Sequence, residues 1–156
     1  MQLARSRNIS LLPLLLPVAS NHLPQPPSDQ RWQADIQIRT LEVTKMKSSM
    51  SVRIVVYTEN DDEARDARIL ILLPVGIGIE RLAARCAATA GPSMVPSLRG
   101  TVLCDVGSIS NGGVREVTLT TTLPSEPLPK RLGVFTYSGT PDPAPGNNYA
   151  ERIIVP

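Results

Sequence analysis

The sequence predicts an all-β protein, a single sandwich of seven to eight antiparallel strands with Greek-key connections. Short apolar runs between Ala34 and Thr122 alternate with polar residues at a period of two, which is typical of half-buried strands. Gly, Pro and Asn residues separate these runs, as they do in sandwich domains. The 156 residues are enough for one domain with a continuous core.

The first two predicted strands show the clearest alternation. In ADIQIRTLEVT, residues 34–44, the apolar phase slips by one residue near Thr40, which indicates a bulge or a kink. In MSVRIVVYTEN, residues 50–60, the side chains of Val52, Ile54, Val56 and Thr58 fall on one face. Both segments are predicted to be strands.

The next segment, DDEARDARILILLPVG, has two interpretations. Acidic residues followed by Arg65, four positions after Asp61, could begin a helix. The apolar run ILILL, stopped by Pro74 and Gly76, favours a central strand over residues 67–73. The strand, preceded by a charged turn, is the interpretation that we adopt.

The remaining chain continues the pattern of short strands and turns. Residues 77–86 are predicted as a strand or irregular edge, and the small residues of 87–100 as a loop. Further strands are predicted at 101–106, 114–124, 131–139 and 149–156, and SNGG at 110–113 is predicted as a hairpin turn. A proline-rich connection is predicted at 125–130.

The N-terminus predicts a secretory signal over residues 1–20. Arg5 and Arg7 precede an apolar stretch at residues 9–19, which is too short to cross a bilayer as a helix and ends in small residues. A linker is the alternative, because Pro13 and Pro17 interrupt the apolar stretch. Residues 21–33 are predicted to be a Pro-rich lead-in, and residues 34–156 the domain. No transmembrane segment is expected in the mature chain, so its localisation is predicted as extracytoplasmic.

Two cysteines, Cys86 and Cys104, lie inside the predicted domain. In an exported protein such a pair is predicted to form a disulfide. Two free buried thiols are the alternative. A zinc site would need four ligands, and His22, the one histidine of the chain, precedes the domain.

PDPAPGNN, at residues 141–148, is the segment with the most polar and turn-forming residues. We predict a structural turn in which Pro141, Pro143 and Pro145 stiffen the chain and Gly146 permits a positive φ. The alternative is a Ca²⁺ site, for which Asp142, Asn147 and Asn148 would supply hard oxygen ligands. One carboxylate is a low charge for calcium, so these three residues are weak metal candidates, and no other cofactor is expected.

Four motifs in this order resemble a bacterial extracellular repeat family called domain of unknown function 11, and the neighbouring cell-adhesion-related domain found in bacteria. The matching positions are Asn60, Leu73–Pro74–Gly76, Cys104–Gly107–Ile109–Gly112 and Asp142–Pro143–Pro145–Asn147–Asn148. The turn DDEARDA departs from the family, which usually has glycine and small polar residues there. The resemblance implies an immunoglobulin-like sandwich that serves as a spacer or adhesive module on secreted or surface proteins.

The expected function is therefore a non-catalytic secreted or cell-surface module that contacts protein or glycan. A small secreted enzyme is less expected, because the predicted domain, residues 34–156, contains no histidine and cannot form Ser–His or Cys–His nucleophile pairs by itself. A net charge of +2 with no basic cluster excludes nucleic acid as the expected partner.

Overall fold

The computed structural model describes residues 33–59, 62–90, 98–124 and 129–155. The predicted signal and almost all of the lead-in, residues 1–32, lie outside the described residues, as does most of the proline-rich connection at 125–130. Nine strands and one short 3₁₀ turn form within the described ranges. The strands are β1 (Asp35–Lys45), β2 (Ser49–Glu59), β3 (Ala64–Pro74), β4 (Ile79–Arg81), β5 (Cys86–Ala90), β6 (Leu98–Ile109), β7 (Val114–Thr122), β8 (Lys130–Tyr137) and β9 (Tyr149–Ile154).

The strands form two antiparallel sheets, which confirms the all-β class and the sandwich. One sheet has four strands in the order β1-β2-β7-β4, and the other has five in the order β5-β6-β3-β8-β9. Their inner faces bury a core of aliphatic side chains that includes Ile36, Ile54, Ile69, Ile71 and Leu119. The nine strands exceed the predicted count of seven to eight. The Greek-key connections stay a prediction.

The alternation of β1 and β2 is confirmed in detail. The register between them shifts between Ile38 and Thr40, at the position where the apolar phase slips in the sequence. Val52, Ile54, Val56 and Thr58 are all fully buried on the inner face of β2. The bulge lets β1 keep apolar residues inward on both sides of the slip.

The helical alternative for the segment before ILILL is wrong where the structure describes it. Strand β3 begins at Ala64, three residues earlier than predicted, and pairs irregularly with β6 from Ala64 to Arg68. Asp66 has a positive φ of 51°, which is incompatible with a helix and marks a local irregularity of the strand. Pairing with β6 from Ala64, and with β8 from Arg68, overrides the weak helical preference of the charged residues.

The prediction of a loop over residues 87–100 was wrong at both ends. Strand β5 occupies Cys86–Ala90, and β6 begins at Leu98 rather than Thr101. The sequence of β5, CAATA, has small side chains and no polar alternation, so its strand character depends on pairing with β6. The SNGG turn is confirmed: Gly112 has a φ of 66°, and the Gly113 N–H donates to the Ser110 carbonyl at 2.7 Å.

Candidate functional site

The Pro141–Asn148 segment connects β8 to β9 and holds the start of β1. The Pro141 carbonyl accepts a hydrogen bond from the Ala34 N–H at 3.1 Å, and Asp142 Oδ2 accepts one from the Ile36 N–H at 3.2 Å. These bonds join positions more than one hundred residues apart in the chain. The segment therefore fixes the first strand to the end of the five-stranded sheet.

Asp142 is the centre of this connection. Its Oδ1 accepts the Ala144 N–H at 2.7 Å, and its Oδ2 also accepts from Asn148 Nδ2 at 2.9 Å. Beside it, Asn147 Nδ2 donates to Asp35 Oδ1 at 2.8 Å. Both asparagine amides thus donate to carboxylates, which is an arrangement that stabilises the turn without a metal ion.

The backbone of the turn differs from the prediction in one respect. Pro145–Asn147 form a 3₁₀ turn that begins with proline, and the Asn148 N–H donates to the Pro145 carbonyl at 3.4 Å. Gly146 does not have a positive φ, since the positive-φ glycines of the described residues are Gly76, Gly107 and Gly112. The preset φ of Pro145 suits a 3₁₀ turn, so Gly146 needs no left-handed conformation.

Two acceptors in the turn have no hydrogen-bond partner. Asn147 Oδ1 and Asn148 Oδ1 are buried oxygens without one. Within the described ranges, no group of three or more His, Cys, Asp or Glu side chains is placed to hold a metal ion. A cation shared by Asp142 and Asn148 Oδ1 would require the Asn148 amide to rotate, because its nitrogen faces the carboxylate.

Cys86 and Cys104 form a disulfide, as the sequence predicts. The two cysteines lie directly opposite each other on β5 and β6, so the bond joins a short edge strand to its neighbour. Beside it, Arg85 Nη2 pairs with Asp105 Oδ2 at 3.1 Å. The Gly107 N–H and, to a smaller extent, this arginine hold the pKa of Asp105 below its ordinary value.

The outer face of the four-stranded sheet is polar along its middle. Arg53 on β2 pairs with Glu42 on β1 at 3.2 Å and with Glu116 on β7 at 2.8 Å. The hydrogen bond from Arg53 lowers the pKa of Glu116. Such a ladder of charges is an ordinary solvated sheet surface. Asp105 and Glu116 lie on different sheets, each beside its own arginine.

The outer face of the five-stranded sheet is different, because apolar side chains cross all five strands in register. Ala87 lies opposite Leu103, Leu103 opposite Leu70, Leu70 opposite Phe135, and Phe135 opposite Tyr149. Leu72 and Tyr137 lie on the same face in the two neighbouring rows, and Ile153 lies two rows from Tyr149, beyond Glu151. We call these eight residues the apolar face: Leu70, Leu72, Ala87, Leu103, Phe135, Tyr137, Tyr149 and Ile153.

The aromatic side chains and Ile153 of the apolar face are open to solvent, whereas Leu70, Leu72 and Leu103 are half-buried. Phe135, Tyr137, Tyr149 and Ile153 are 40%, 41%, 43% and 55% exposed, and they are four of the seven large exposed hydrophobic residues in the described part of the chain. Contiguous exposed apolar surface of this kind marks interaction sites more often than isolated apolar residues do. The apolar face is therefore the candidate functional site.

The aromatic end of the apolar face is ordered by specific contacts. The rings of Phe135 and Tyr149 lie 4.5 Å apart between centroids, and the Tyr149 ring also lies over Gly133, where a Cβ would approach it to 3.4 Å. The Tyr149 hydroxyl donates to Glu151 Oε2 at 3.0 Å, and Glu151 Oε1 accepts from Arg131 at 2.6 Å. Burial, and then the hydrogen bond to Glu151, raise the pKa of Tyr149.

The sequence analysis missed this face, although its signal is present. In ILILL every second residue points outward once the segment is a strand, so Leu70 and Leu72 face away from the core. In RLGVFTYSG the aromatic residues Phe135 and Tyr137 also occupy alternate positions. Which strands lie side by side could not be read from these patterns, so the continuity of the face was not apparent.

Comparisons with known proteins identify no family. No family model and no curated protein matches the chain. Among solved structures, it is similar to a GH20 exo-β-N-acetylglucosaminidase from Vibrio harveyi in complex with N-acetylglucosamine, and to an inactive mutant of this enzyme. Each match has 8% identity and a TM-score of 0.31 and covers 80% of this chain but 17% of the other. The chain thus spans less than a fifth of the enzyme, and a likeness this weak carries no argument.

No helix in the described ranges combines the length and hydrophobicity needed to cross a lipid bilayer.

Proposed function

We propose that this chain is a non-catalytic binding module, secreted or held at a cell surface, that makes its contacts through the apolar face. The observation that carries the proposal is the row of apolar side chains across five paired strands. Leaving several large apolar side chains in water is unfavourable by roughly 25 cal/mol per Å² of apolar area, so a partner that covers them gains free energy.

The extracytoplasmic location is supported by two features. A disulfide between Cys86 and Cys104 persists in oxidising compartments and is rare in the cytosol. The N-terminal residues have the arginines, apolar stretch and small residues of a secretory signal. The resemblance to the bacterial extracellular repeat family supports the same location and a structural or adhesive role.

Mass spectrometry of the protein from its natural source tests the location. We expect an N-terminus near residue 21 and no free thiol at Cys86 or Cys104. Recovery from the cytosol with residues 1–20 attached and both cysteines alkylated without reduction would contradict this part of the proposal.

The adhesive role is tested with beads that carry the protein and cell envelopes isolated from the source organism. We expect the beads to bind and Tyr137→Lys to abolish binding, because the change places a charge on the apolar face. Val114→Lys is the matched control, since Val114 is 43% exposed on β7 of the other sheet. Equal binding by both variants would exclude the apolar face as the adhesive surface.

A Ca²⁺-dependent module is the second candidate, favoured by the unpartnered oxygens of Asn147 and Asn148. Rotation of both amides would turn these acceptors toward Asp142 and Asp35, an arrangement that is favourable only with a cation between them. It predicts that Ca²⁺ raises the melting temperature and that Asp142→Ala removes the increase. An unchanged melting temperature at millimolar Ca²⁺ would leave the segment with its structural role alone.

A further inference from the structure

The geometry points to a specific occupant of the apolar face: a second copy of this chain, packed sheet against sheet about a two-fold axis. The inference rests on the proposed binding role of this face and names the partner. It follows from the strand register, the small net charge, the area and the strand arrangement of the face.

The first argument is shape. The apolar face lies on one side of a five-stranded sheet, and its central row, from Ala87 to Tyr149, keeps register across all five strands. Leucine side chains at the centre, Leu70, Leu72 and Leu103, would contact a partner together with Phe135 and Tyr137. Two such sheets pack face to face at about 10 Å with interdigitated side chains. Another copy offers this complementary surface automatically.

The second argument is charge. On the rim of the face, Arg131 pairs with Glu151, and Arg85 pairs with Asp105, which also lies opposite Arg68 in the register of β3 and β6. Arg68 leaves this set of charges with one excess positive charge, so the rim attracts neither a polyanion nor a polycation strongly. A surface this close to neutral is suited to an isologous contact, in which the same patch must accept itself.

The third argument is area. Five strands about 4.8 Å apart, with side chains in four rows about 6.7 Å apart, give a footprint of about 600 Å² once side-chain width is included. Two copies would bury about 1,200 Å² together, which is at the lower limit for specific interfaces. The expected dimer is therefore reversible, with a dissociation constant on the order of micromolar.

The position of the charges also selects the two-fold axis. Because β3 is the middle strand, an axis parallel to the strands would stack Arg68 of one copy on Arg68 of the other. An axis across the strands reverses β3 on its counterpart, so that Leu70 meets Leu72 of the second copy. The same axis reverses β8 and brings Arg131 toward Tyr137 of the second copy, a favourable cation–π arrangement.

Sedimentation velocity of the disulfide-bonded chain over a concentration series from about 1 µM to about 1 mM, spanning the affinity range expected of so small an interface, tests the inference. We expect a monomer–dimer equilibrium that Phe135→Lys and, separately, Tyr137→Lys weaken by about tenfold or more, as central aromatic contacts do. Val114→Lys, on the other sheet, should leave the dissociation constant within about twofold, because surface changes outside an interface are nearly neutral.

A measurement on the unchanged protein keeps the test independent of variant folding. In a mixture of isotope-labelled and unlabelled chains, we expect nuclear Overhauser contacts between the methyl groups of Leu70 and those of Leu72 in the other copy. Contacts between Leu70 and Leu70 alone would contradict the axis across the strands.

A chain that stays monomeric up to about 1 mM, far above the expected dissociation constant, would overturn the inference. So would a dimer that Val114→Lys disrupts and Phe135→Lys does not. Evidence for another occupant of the apolar face would also overturn the inference. One such result is a glycan that binds the wild type but not Phe135→Lys on an array. Another is a shift of the Leu70 methyl signals when residues 21–32 alone are removed. These outcomes leave the test of export and the disulfide unaffected, so the two proposals fail separately.

Discussion

At the scale of single residues, two buried threonine hydroxyls in the core are expected to have opposite effects on stability. Thr58 and Thr121 are both fully buried. The Thr58 hydroxyl donates to the Ser110 carbonyl at 2.6 Å, whereas the Thr121 hydroxyl has no hydrogen-bond partner. A buried hydroxyl without a partner opposes folding, because it loses its bonds to water without replacement.

We therefore expect Thr121→Val to stabilise the protein by about 1 kcal/mol, since valine has nearly the same shape and no hydroxyl that needs a hydrogen-bond partner. Thr58→Val is the matched control and should destabilise by about 1 kcal/mol, because the Ser110 carbonyl loses one of its two donors and keeps only the Gly113 N–H. Chemical denaturation with fluorescence or circular dichroism measures both. A loss of stability in Thr121→Val would show that its hydroxyl has a partner in solution.

The raised pKa of Tyr149 predicts that the stability of the protein depends on pH in the alkaline range. Its pKa in the folded protein is raised above the ordinary value of 10.0, first by burial and then by Glu151, so the neutral phenol is favoured by folding. Its contribution is complete below pH 10 and is lost as the pH rises from there through the folded pKa. Ultraviolet difference spectroscopy should show a tyrosine that ionises above this ordinary value.

The alkaline loss of stability should be smaller in Tyr149→Phe, which has no proton to lose. Glu151→Gln removes the neighbouring negative charge and should bring the Tyr149 transition closer to the ordinary value. A Tyr149 transition unchanged by Glu151→Gln would show that burial alone causes the shift.

At the scale of elements, the two edge strands of the five-stranded sheet are held differently. β5 is held by the disulfide to β6, and β9 is delivered by the turn that begins at Pro141. Short edge strands pair on one side only and separate easily unless something else holds them. The disulfide and the turn are therefore expected to determine how well β5 and β9 are ordered.

Reduction of the disulfide, or the double change Cys86→Ala and Cys104→Ala, should destabilise the protein by about 3 kcal/mol. The sequence separation of 18 residues sets this magnitude in the chain-entropy description. Hydrogen exchange should rise most in β5, because the bond joins that strand to its neighbour. Uniform exchange changes across both sheets would contradict a local role.

Asp142→Ala should destabilise by about 2 to 3 kcal/mol, because three donors lose their acceptor, among them the Ile36 N–H of β1. Hydrogen exchange at Ile36 should rise together with the loss of stability. Pro143→Ala, in the same turn and exposed, is the control and should change stability by less than about 0.5 kcal/mol. Equal effects of the two changes would mean that the turn is held by its backbone alone.

At the scale of the whole molecule, the start of β1 is part of the core. Ala34 and Ile36 are fully buried, and Ala34 is hydrogen-bonded to Pro141. A chain that begins at Gln33 keeps both of these buried residues and serves as the reference. A chain that begins at Ile38 should lose about 4 kcal/mol or more, because two buried side chains and their pairing are removed. Equal midpoints for the two truncated chains would show that the start of β1 is dispensable.

Much of the architecture follows from patterns that are local in the sequence. A period of two specifies a strand with one buried face wherever it is uninterrupted, as in β2 and β7. The bulge near Thr40 and the SNGG turn also depend on neighbouring residues, so the sequence predicted them correctly. β5 was missed because its small side chains carry no alternation, and only its pairing with β6 makes it a strand.

The sequence by itself determined the all-β class, the pairing of two cysteines and the turn at Pro141, because each depends on residue type and near neighbours. Only the tertiary structure decided that Asp142 holds the start of β1 and that apolar side chains from five strands meet on one outer face. Both depend on which strands are adjacent and in what register. Strand order joins residues distant in the chain, and no local period encodes it.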